Sequence, residues 1–500
     1  MRIKNVWVLA ATLFLNTAAN AGPPVDSGAL DPSFGSAGKV QLASPLPAFS
    51  SDYTSSAFVA EGVALQSDGK AVLVGYNDFT YQGTPFTGWI ISRLNSDGSV
   101  DTGFGSYRAL GPPLAGYITP YLGDAGNRAL AVATRPDGRI VVAGNILDSN
   151  DGLRKAVLLQ FDSAGNQDMT FGNNNAGATY VTPLAGDATY ASRIVIEANG
   201  SIDLVGTYYD NLGGFNGNQF FFDRIAANGA TDNRFQYELG SGANQDDHAL
   251  DLAIDSQGRY VLVGYHRGPA GNYDCALIRI RNDLLDVDSS FGSGGQTTVA
   301  FDYAGDKGDF CDAIAIFQSS GYIAIGGHAS VDANNNQRAV VAMLLPDGSL
   351  DQYGTSMAAE FAFTYGGVPD ANTNVSKLII DDNDTKSPTL LAIGTGTRAD
   401  TLPYGDGVGV ARLTPPFFTN FAPDPTFSGG ATQNVYFAAC PDGLGLTRTN
   451  NNGLSAGYAN GKLVVVGDTA CTGSGSSKFA AARFAPFDQI FKNGVDFPSF

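Results

Sequence analysis

The side chains with the richest chemistry in this chain are three histidines, His248, His266 and His328, set among aspartates that include Asp246, Asp247, Asp274 and Asp312. Imidazole with carboxylate is the donor set of many transition-metal sites, but no H-E-x-x-H or similar spacing supports one here. Calcium is the other candidate ion, given the many aspartates. Asp381, Asn383 and Thr385 in D-D-N-D-T-K come nearest to an ion loop, yet lack the turn glycine and distal glutamate of an EF-hand. Gly453-Leu454-Ser455-Ala456-Gly457 matches G-x-S-x-G, the pattern of a nucleophilic serine. That chemistry needs a strand before the serine and a helix after it, and the sequence around Ser455 leads into a strand instead. Four cysteines, Cys275, Cys311, Cys440 and Cys471, allow three disulfide pairings. Neighbouring pairs, 275 with 311 and 440 with 471, are expected, and reactive thiols are the alternative, with no C-x-x-C to support them. Arginines recur at Arg93, Arg224, Arg279, Arg412 and Arg483. A single ligand site would not need five, so each is expected to hold a turn carboxylate, as Asp101 for Arg93.

The elements that carry these residues are hairpins. V-A-L-Q-S-D-G-K-A-V-L-V-G, from Val63 to Gly75, is an apolar run, an Asp-Gly turn and a second run closing on glycine. The same shape closes at Gly144, Gly206 and Gly264, and in weaker form at Gly326, Gly394 and Gly467, with spacings of 69, 62, 58, 62, 68 and 73 residues. Such a period is too long for one hairpin per copy. Each hairpin is followed by a third apolar strand that often ends in arginine, then by a D-x-x-F-G element and a short fourth strand. Units of about 60 residues with strands A, B, C and D are propeller blades, which bury their faces only against neighbours.

The expected fold is therefore all-β: a single seven-bladed β-propeller of four-stranded antiparallel blades over residues 22–486. The last copy lacks its D-x-x-F-G element and strand D. L-D-P-S-F-G-S-A-G-K-V, from Leu30 to Val40, supplies both, so an N-terminal strand at about 30–43 is expected to join the last blade and close the ring. The repeat resembles the bacterial delta-60 repeat family, whose units read L-D-x-S-F-G-x-x-G-x-V, then Q-P-D-G-K-I-V-V-A-G, then A-x-A-R-Y. The resemblance implies a propeller and an exported location, and brings no assigned chemistry.

Residues 1–21 carry Arg2, Lys4, an apolar run and Ala19-Asn20-Ala21, as a secretory signal peptide does. Residues 487–500 read as a C-terminal tail. The apolar run is too short to span a bilayer, and no later segment is long enough. The net charge is −19, more negative still without the leader, which excludes the basic footprint that nucleic acid or an anionic membrane requires. Only four of 48 acidic residues are Glu, and aspartate favours turns over helix.

In such a blade the A–B and C–D links share one face and the B–C and D–A links the other. The latter are long and variable, which makes that face the expected place for binding. All three histidines, the four named aspartates and both expected disulfides fall on it. The function expected is an exported, non-enzymatic binding or scaffold module, monomeric, for a protein or glycan. The alternatives are an extracellular hydrolase or lyase with carboxylates near the central opening, and a structural cell-surface or matrix component. An enzyme should bring several aspartates together with a histidine or arginine near the axis.

Overall fold

The computed structural model describes residues 28–485 except 47–49, 106–113, 121, 123–125, 173–176, 182–186, 211–216, 240–245, 269, 284–285, 304–306, 333, 352–357, 366–367, 370–371, 382–388, 398–405, 414–422, 425–426, 428–431, 436–454 and 470–476. The expected signal peptide and C-terminal tail lie outside the described residues.

Seven four-stranded antiparallel sheets follow one another along the chain, with a two-stranded ribbon (Thr364–Tyr365 with Val368–Pro369) outside them. Blade 4 shows the pattern: strand A His248–Ile254, B Tyr260–Arg267, C Tyr273–Ile280 and D Gln296–Val299. The strands A (Tyr53–Leu65, Arg128–Thr134, Ala188–Ile196, His248–Ile254, Asp309–Ile316, Asn372–Asp381 and Ser455–Ala459) each contact the next, and the last contacts the first, so they form the inner ring. Seven apolar clusters fill the gaps between neighbouring blades, one for each pair. A blade is apolar on both faces for this reason, and isolated it would leave both exposed to water.

The ring closes as expected. Lys39–Leu42 pairs antiparallel with Lys478–Phe484, strand C of blade 7, with Val40 opposite Ala481. The outermost strand of the last blade thus comes from the start of the chain, and no sheet edge is left between first and last copies.

The glycine that closes each hairpin has a steric cause. In blades 1 to 6 strand A carries a β-bulge, as between Ala249 and Asp251. The bulge pushes a strand A carbonyl toward strand B. A Cβ on Gly264 would lie 1.7 Å from the His248 oxygen, and one on Gly75 1.9 Å from that of Val59. In blade 5 the residue in this place is Gly327, 1.8 Å from the Phe310 oxygen, and not Gly326, which the repeat count used. Two adjacent glycines hid the register in sequence.

The D-x-x-F-G element is equally explicable. In blade 1, Asp101 accepts from the Gly103 amide at 3.1 Å and from Arg93, with Arg93 Nη2 to Asp101 Oδ2 at 2.9 Å. Phe104 is buried, with the Arg93 guanidinium 4.3 Å above its ring. Gly105 turns with φ of 57° and donates its amide to Ala164 of blade 2 at 2.8 Å. Arg93 Nη1 reaches the same turn, at Ser163 O, 2.5 Å away. The motif is therefore a joint between blades as well as a clamp on the outer hairpin. Arg279 with Asp288 and Phe291, Arg412 with Asp424 and Phe427, and Arg483 with Asp31 and Phe34 repeat it.

Three blades, 2, 3 and 5, depart from this scheme. Arg224 of blade 3 pairs with Asp203 on strand B and with a turn carboxylate from the A–B turn, Glu197, and lies over Tyr260 of blade 4. Blade 5 has Met343 and blade 2 Gln160 where the other five carry arginine, and Gln160 Nε2 holds Asp168 at 2.8 Å. The missing cation of blade 2 returns at Arg135, which donates to Ala227 O in blade 3 at 2.9 Å and to Gly200 O at 2.6 Å. The joint survives although the arginine now stands in the A–B turn.

Candidate functional site

The face of the B–C and D–A links, taken from sequence as the long-loop face, gathers in blades 3 to 5 most of the residues singled out by sequence. Its B–C links are nevertheless short, 268–272 in blade 4 against 281–295 for the C–D link on the other face. His248 is the first residue of strand A in blade 4, and its Nε2 lies 2.8 Å from Asp246 Oδ1. Asn218 of blade 3 donates to the same Asp246 oxygen at 2.7 Å, and the Tyr273 hydroxyl donates to Oδ2 at 2.6 Å. The other imidazole nitrogen faces Thr207 Oγ1 at 3.1 Å. Burial pushes the Asp246 carboxyl up, but hydrogen bonds from Tyr273, Asn218 and His248 outweigh it and hold the group below the usual aspartate value. The Tyr273 hydroxyl is raised by that bond to Asp246 first and by burial second.

Rings continue this site across two blades. His248 stacks on Tyr265 at 4.8 Å, Tyr265 meets Tyr273 and Phe310 edge-on at 5.6 and 5.0 Å, and Phe310 stacks on His328 at 5.0 Å. Burial raises the Tyr265 hydroxyl strongly, with the charges of Asp246 and Asp312 adding to it. The five side chains are partly exposed and stand at strand ends: His248 and Phe310 at the starts of A, Tyr265 and His328 near the ends of B, Tyr273 at the start of C. Alternation along the pleat brings them to one side, and adjacent blades place them edge to edge.

The remaining candidates flank this band. His266 is buried within strand B, and its Nδ1 lies 2.6 Å from Asp247 Oδ1. Asp247 is wholly buried and its other oxygen accepts the Leu239 amide at 2.9 Å. A buried carboxylate that holds Nδ1 fixes the ring and leaves Nε2 as the outward group. Asp274 sits opposite His266 in the B–C pairing, and Asn272 donates to it at 3.2 Å. Asp312, the bulge residue of blade 5, lies 3.7 Å from His328 Nδ1, beyond a hydrogen bond. His266 and His328 lie inside strand B rather than in the loops after it, because the strands run further toward this face than their apolar runs suggested. Among the described residues, no group of three or more His, Cys, Asp or Glu side chains could hold a metal ion.

Cys275 and Cys311 are bonded, with Cα atoms 5.1 Å apart, and join strand C of blade 4 to strand A of blade 5 beneath the band. Cys440 and Cys471 lie outside the described residues, as do Asn383 and Thr385 of the calcium candidate; Asp381 ends strand A of blade 6. Ser455 is buried and opens strand A of blade 7, a strand rather than the helix a nucleophilic serine requires.

On the inner strands one carboxylate meets two cations. Asp251 of blade 4 lies 3.2 Å from Arg193 Nε of blade 3 and 2.8 Å from Lys377 Nζ of blade 6. Asp251 is wholly buried, and its charge is more than balanced by the two cations beside it. Among the described residues several aspartates do not converge there.

Three stretches, residues 66–104, 135–171 and 318–352, match a family described as a domain of unknown function (DUF5122) beta-propeller. The chain folds as a seven-bladed β-propeller, and in these three stretches it is similar to that family. Each matched stretch covers an A–B turn and strands B and C; the first two run on to the Asp and Phe of D-x-x-F-G, and the third stops just past Asp351. No curated protein matches this propeller. Solved structures similar to it include a protein of unknown function from Bacteroides caccae (13% identity, 58% of this chain and 79% of that one, TM-score 0.32). Chaetomium thermophilum Sqt1 is another (10%, 87% and 97%, 0.37), as is a polysaccharide lyase described as an ulvan lyase (8%, 83% and 90%, 0.42).

The residues that sequence reading missed are Thr207, Asn218, Tyr265, Tyr273 and Phe310. Their signal was available in part: Tyr265 directly follows a hairpin-closing glycine, where the chain leaves the core for the loop face.

Proposed function

We propose that this chain is an exported, non-enzymatic binding propeller that takes a protein or glycan ligand on its long-loop face. The observation that carries the reading is the band of His248, Tyr265, Tyr273, Phe310 and His328, with Asp246 held at its edge by three donors. Rings offer apolar area at low entropic cost, and a pre-positioned carboxylate offers directional acceptors, the combination that binding surfaces use. The disulfide beneath the band supports a rigid platform and an oxidising compartment. The secretory leader expected at residues 1–21 gives the export route. The delta-60 resemblance of the repeats agrees with that location. The ion triad on the inner strands favours a structural role for those charges over a hydrolytic or lyase centre.

The experiment is a capture assay with the purified mature chain against the envelope fraction of its host and a glycan array, with and without calcium. Tyr273→Phe removes one hydroxyl and frees Asp246 from its shortest partner. Loss of captured material by about tenfold, with an unchanged melting curve, is expected; unchanged capture would overturn the assignment of the band.

A further inference from the structure

Blade 1 differs from the other six. Its strands B and C, Ala71–Tyr81 and Thr84–Leu94, have 11 residues each, and strand A, Tyr53–Leu65, has 13. In the other blades strands B and C have seven to nine residues. The long B–C loop expected here is instead a two-residue turn at Gln82 and Gly83, with φ of 48° and 83°. Both residues lie in the left-handed region, as in the tight turn whose twist matches paired strands. A three-stranded ribbon therefore extends the blade on the long-loop face.

One side of that ribbon is aromatic. Tyr53 pairs with Tyr81 and Phe79 with Phe86, and the pleat's two-residue period puts all four rings on one side. They form a run, Tyr81 to Tyr53 at 4.8 Å, Tyr53 to Phe79 at 5.8 Å and Phe79 to Phe86 at 5.6 Å. Tyr81 and Phe86 are each 38% exposed, among the most exposed large apolar side chains described. The other side is polar, with Thr87 Oγ1 donating to Asp78 at 2.6 Å and Ser56 to the Asp78 carbonyl at 3.2 Å.

We propose that this aromatic side is a docking platform for an uncharged polysaccharide, a surface separate from the band of blades 3 to 5. Area argues against a second copy or another folded protein. An aromatic side chain presents about 150–250 Å² in full, so the exposed parts of four such rings sum to less than about 400 Å². A stable partner needs roughly 800 Å² per side. Charge selects among smaller ligands. The ionisable groups from residue 51 to 88 are Asp52, Glu61, Asp68, Asp78, three tyrosines and Lys70. Lys70 lies in the A–B turn at the opposite face, bound to Asp101 at 2.9 Å. The ribbon thus offers no cation to a sulfate, uronate or phosphate, and its own carboxylates repel them. A neutral sugar ring has apolar C–H faces for the aromatic run, with Gln82 and Thr84 at its end to meet hydroxyl groups. The tight turn pre-organises the rings, so little ordering opposes binding.

The test is retention of the purified mature chain on microcrystalline cellulose, chitin, insoluble xylan, mannan and starch, with alginate beads as the anionic control. Retention on at least one neutral polymer, ten times or more that on alginate, is expected. The Tyr81→Ala/Phe86→Ala variant should lose at least tenfold in that retention with its melting curve unchanged. Tyr273→Phe, which alters the other site, should retain normally. Absence of retention on all five neutral polymers, equal retention by the double variant, or preference for alginate would overturn the proposal. Concentration-dependent dimerisation abolished by the double variant would overturn it in favour of a second copy. Failure of the Tyr273→Phe capture experiment with normal polymer retention would reject the band alone.

Discussion

Replacing Arg483 with Met tests how the ring is held shut. Arg483 is 3% exposed and binds Asp31, 452 residues away in sequence, with Nε and Nη2 each 2.9 Å from Oδ2. It also donates to Ser33 Oγ at 3.0 Å and to the Ser96 carbonyl of blade 1, and lies 4.6 Å above Phe34. Methionine keeps the apolar stem over Phe34 and removes every charged bond. A covered ion pair broken from one side costs about 3–5 kcal/mol, because the abandoned charge stays where water cannot solvate it. Asp31 retains only the Ser33 bonds and Lys462 at 3.8 Å, so the loss should fall within that range. The assay is urea unfolding of wild type, Arg483→Met, Asp31→Asn and the double variant, read as a double-mutant cycle. Exposed Arg281, 3.7 Å from Asp286, serves as the control, and its methionine variant should change stability by less than about 0.5 kcal/mol. A loss below about 1 kcal/mol for Arg483→Met, or a coupling near zero, would refute the reasoning that this joint closes the ring.

Three further outcomes follow from the same geometry. Replacing Cys275 and Cys311 with Ala should cost about 4 kcal/mol in the chain-entropy account of a 36-residue separation, measured by urea unfolding. Burial pushes both Asp203 and Asp309 up to about 6, and each has one oxygen without a hydrogen-bond partner among the described residues. A carboxyl with a raised folded value binds its proton more tightly when folded, so stability should rise as pH falls from above 6 toward 3.8, by at most about 3 kcal/mol per group. Asp309→Asn should flatten that slope in unfolding measured across pH 4–8, and an unchanged slope would contradict the assignment. Below that window the sign reverses: burial raises Asp31, Asp101 and Asp288, but hydrogen bonds and arginine charge hold them low, and their contribution is lost as pH falls through the depressed values. Arg135→Ala should destabilise blade 2 by about 2–3 kcal/mol, since its bonds to Gly200 O and Ala227 O are charge-assisted and buried; a loss under about 0.5 kcal/mol would leave the swap with Gln160 without a structural role.

The architecture was legible in the sequence wherever one residue type has one steric or electrostatic job. The bulge carbonyl admits only glycine opposite it, so the hairpin ends repeat visibly. The Asp, Phe and Gly of D-x-x-F-G each meet a fixed partner, which is why Leu30–Val40 could be assigned to a blade 450 residues away. Legibility failed where a role can be met in two ways. Gly326 and Gly327 both offer a missing side chain, and only the register chooses between them. Gln160 on strand C and Arg135 in the A–B turn share what Arg93 does alone, and Arg224 finds carboxylates that precede it in the chain. The aromatic band was half visible: histidines and aspartates stand out by type, whereas Tyr265, Tyr273 and Phe310 are unremarkable until adjacent blades put them together. The blade 1 ribbon carried its own sign, alternating residues on both sides of Gln82-Gly83, which the expectation of long variable loops concealed.

The most direct test of the account is the comparison of Tyr273→Phe and Arg93→Met for glycan-array and envelope capture, alongside stability. If the long-loop face binds and the arginine joints only hold the blades, Tyr273→Phe lowers capture about tenfold at unchanged stability, while Arg93→Met lowers stability and leaves capture by the folded fraction within twofold. The reverse pattern, ligand lost with Arg93 and kept without the Tyr273 hydroxyl, would contradict the division of this molecule into a working face and a structural one.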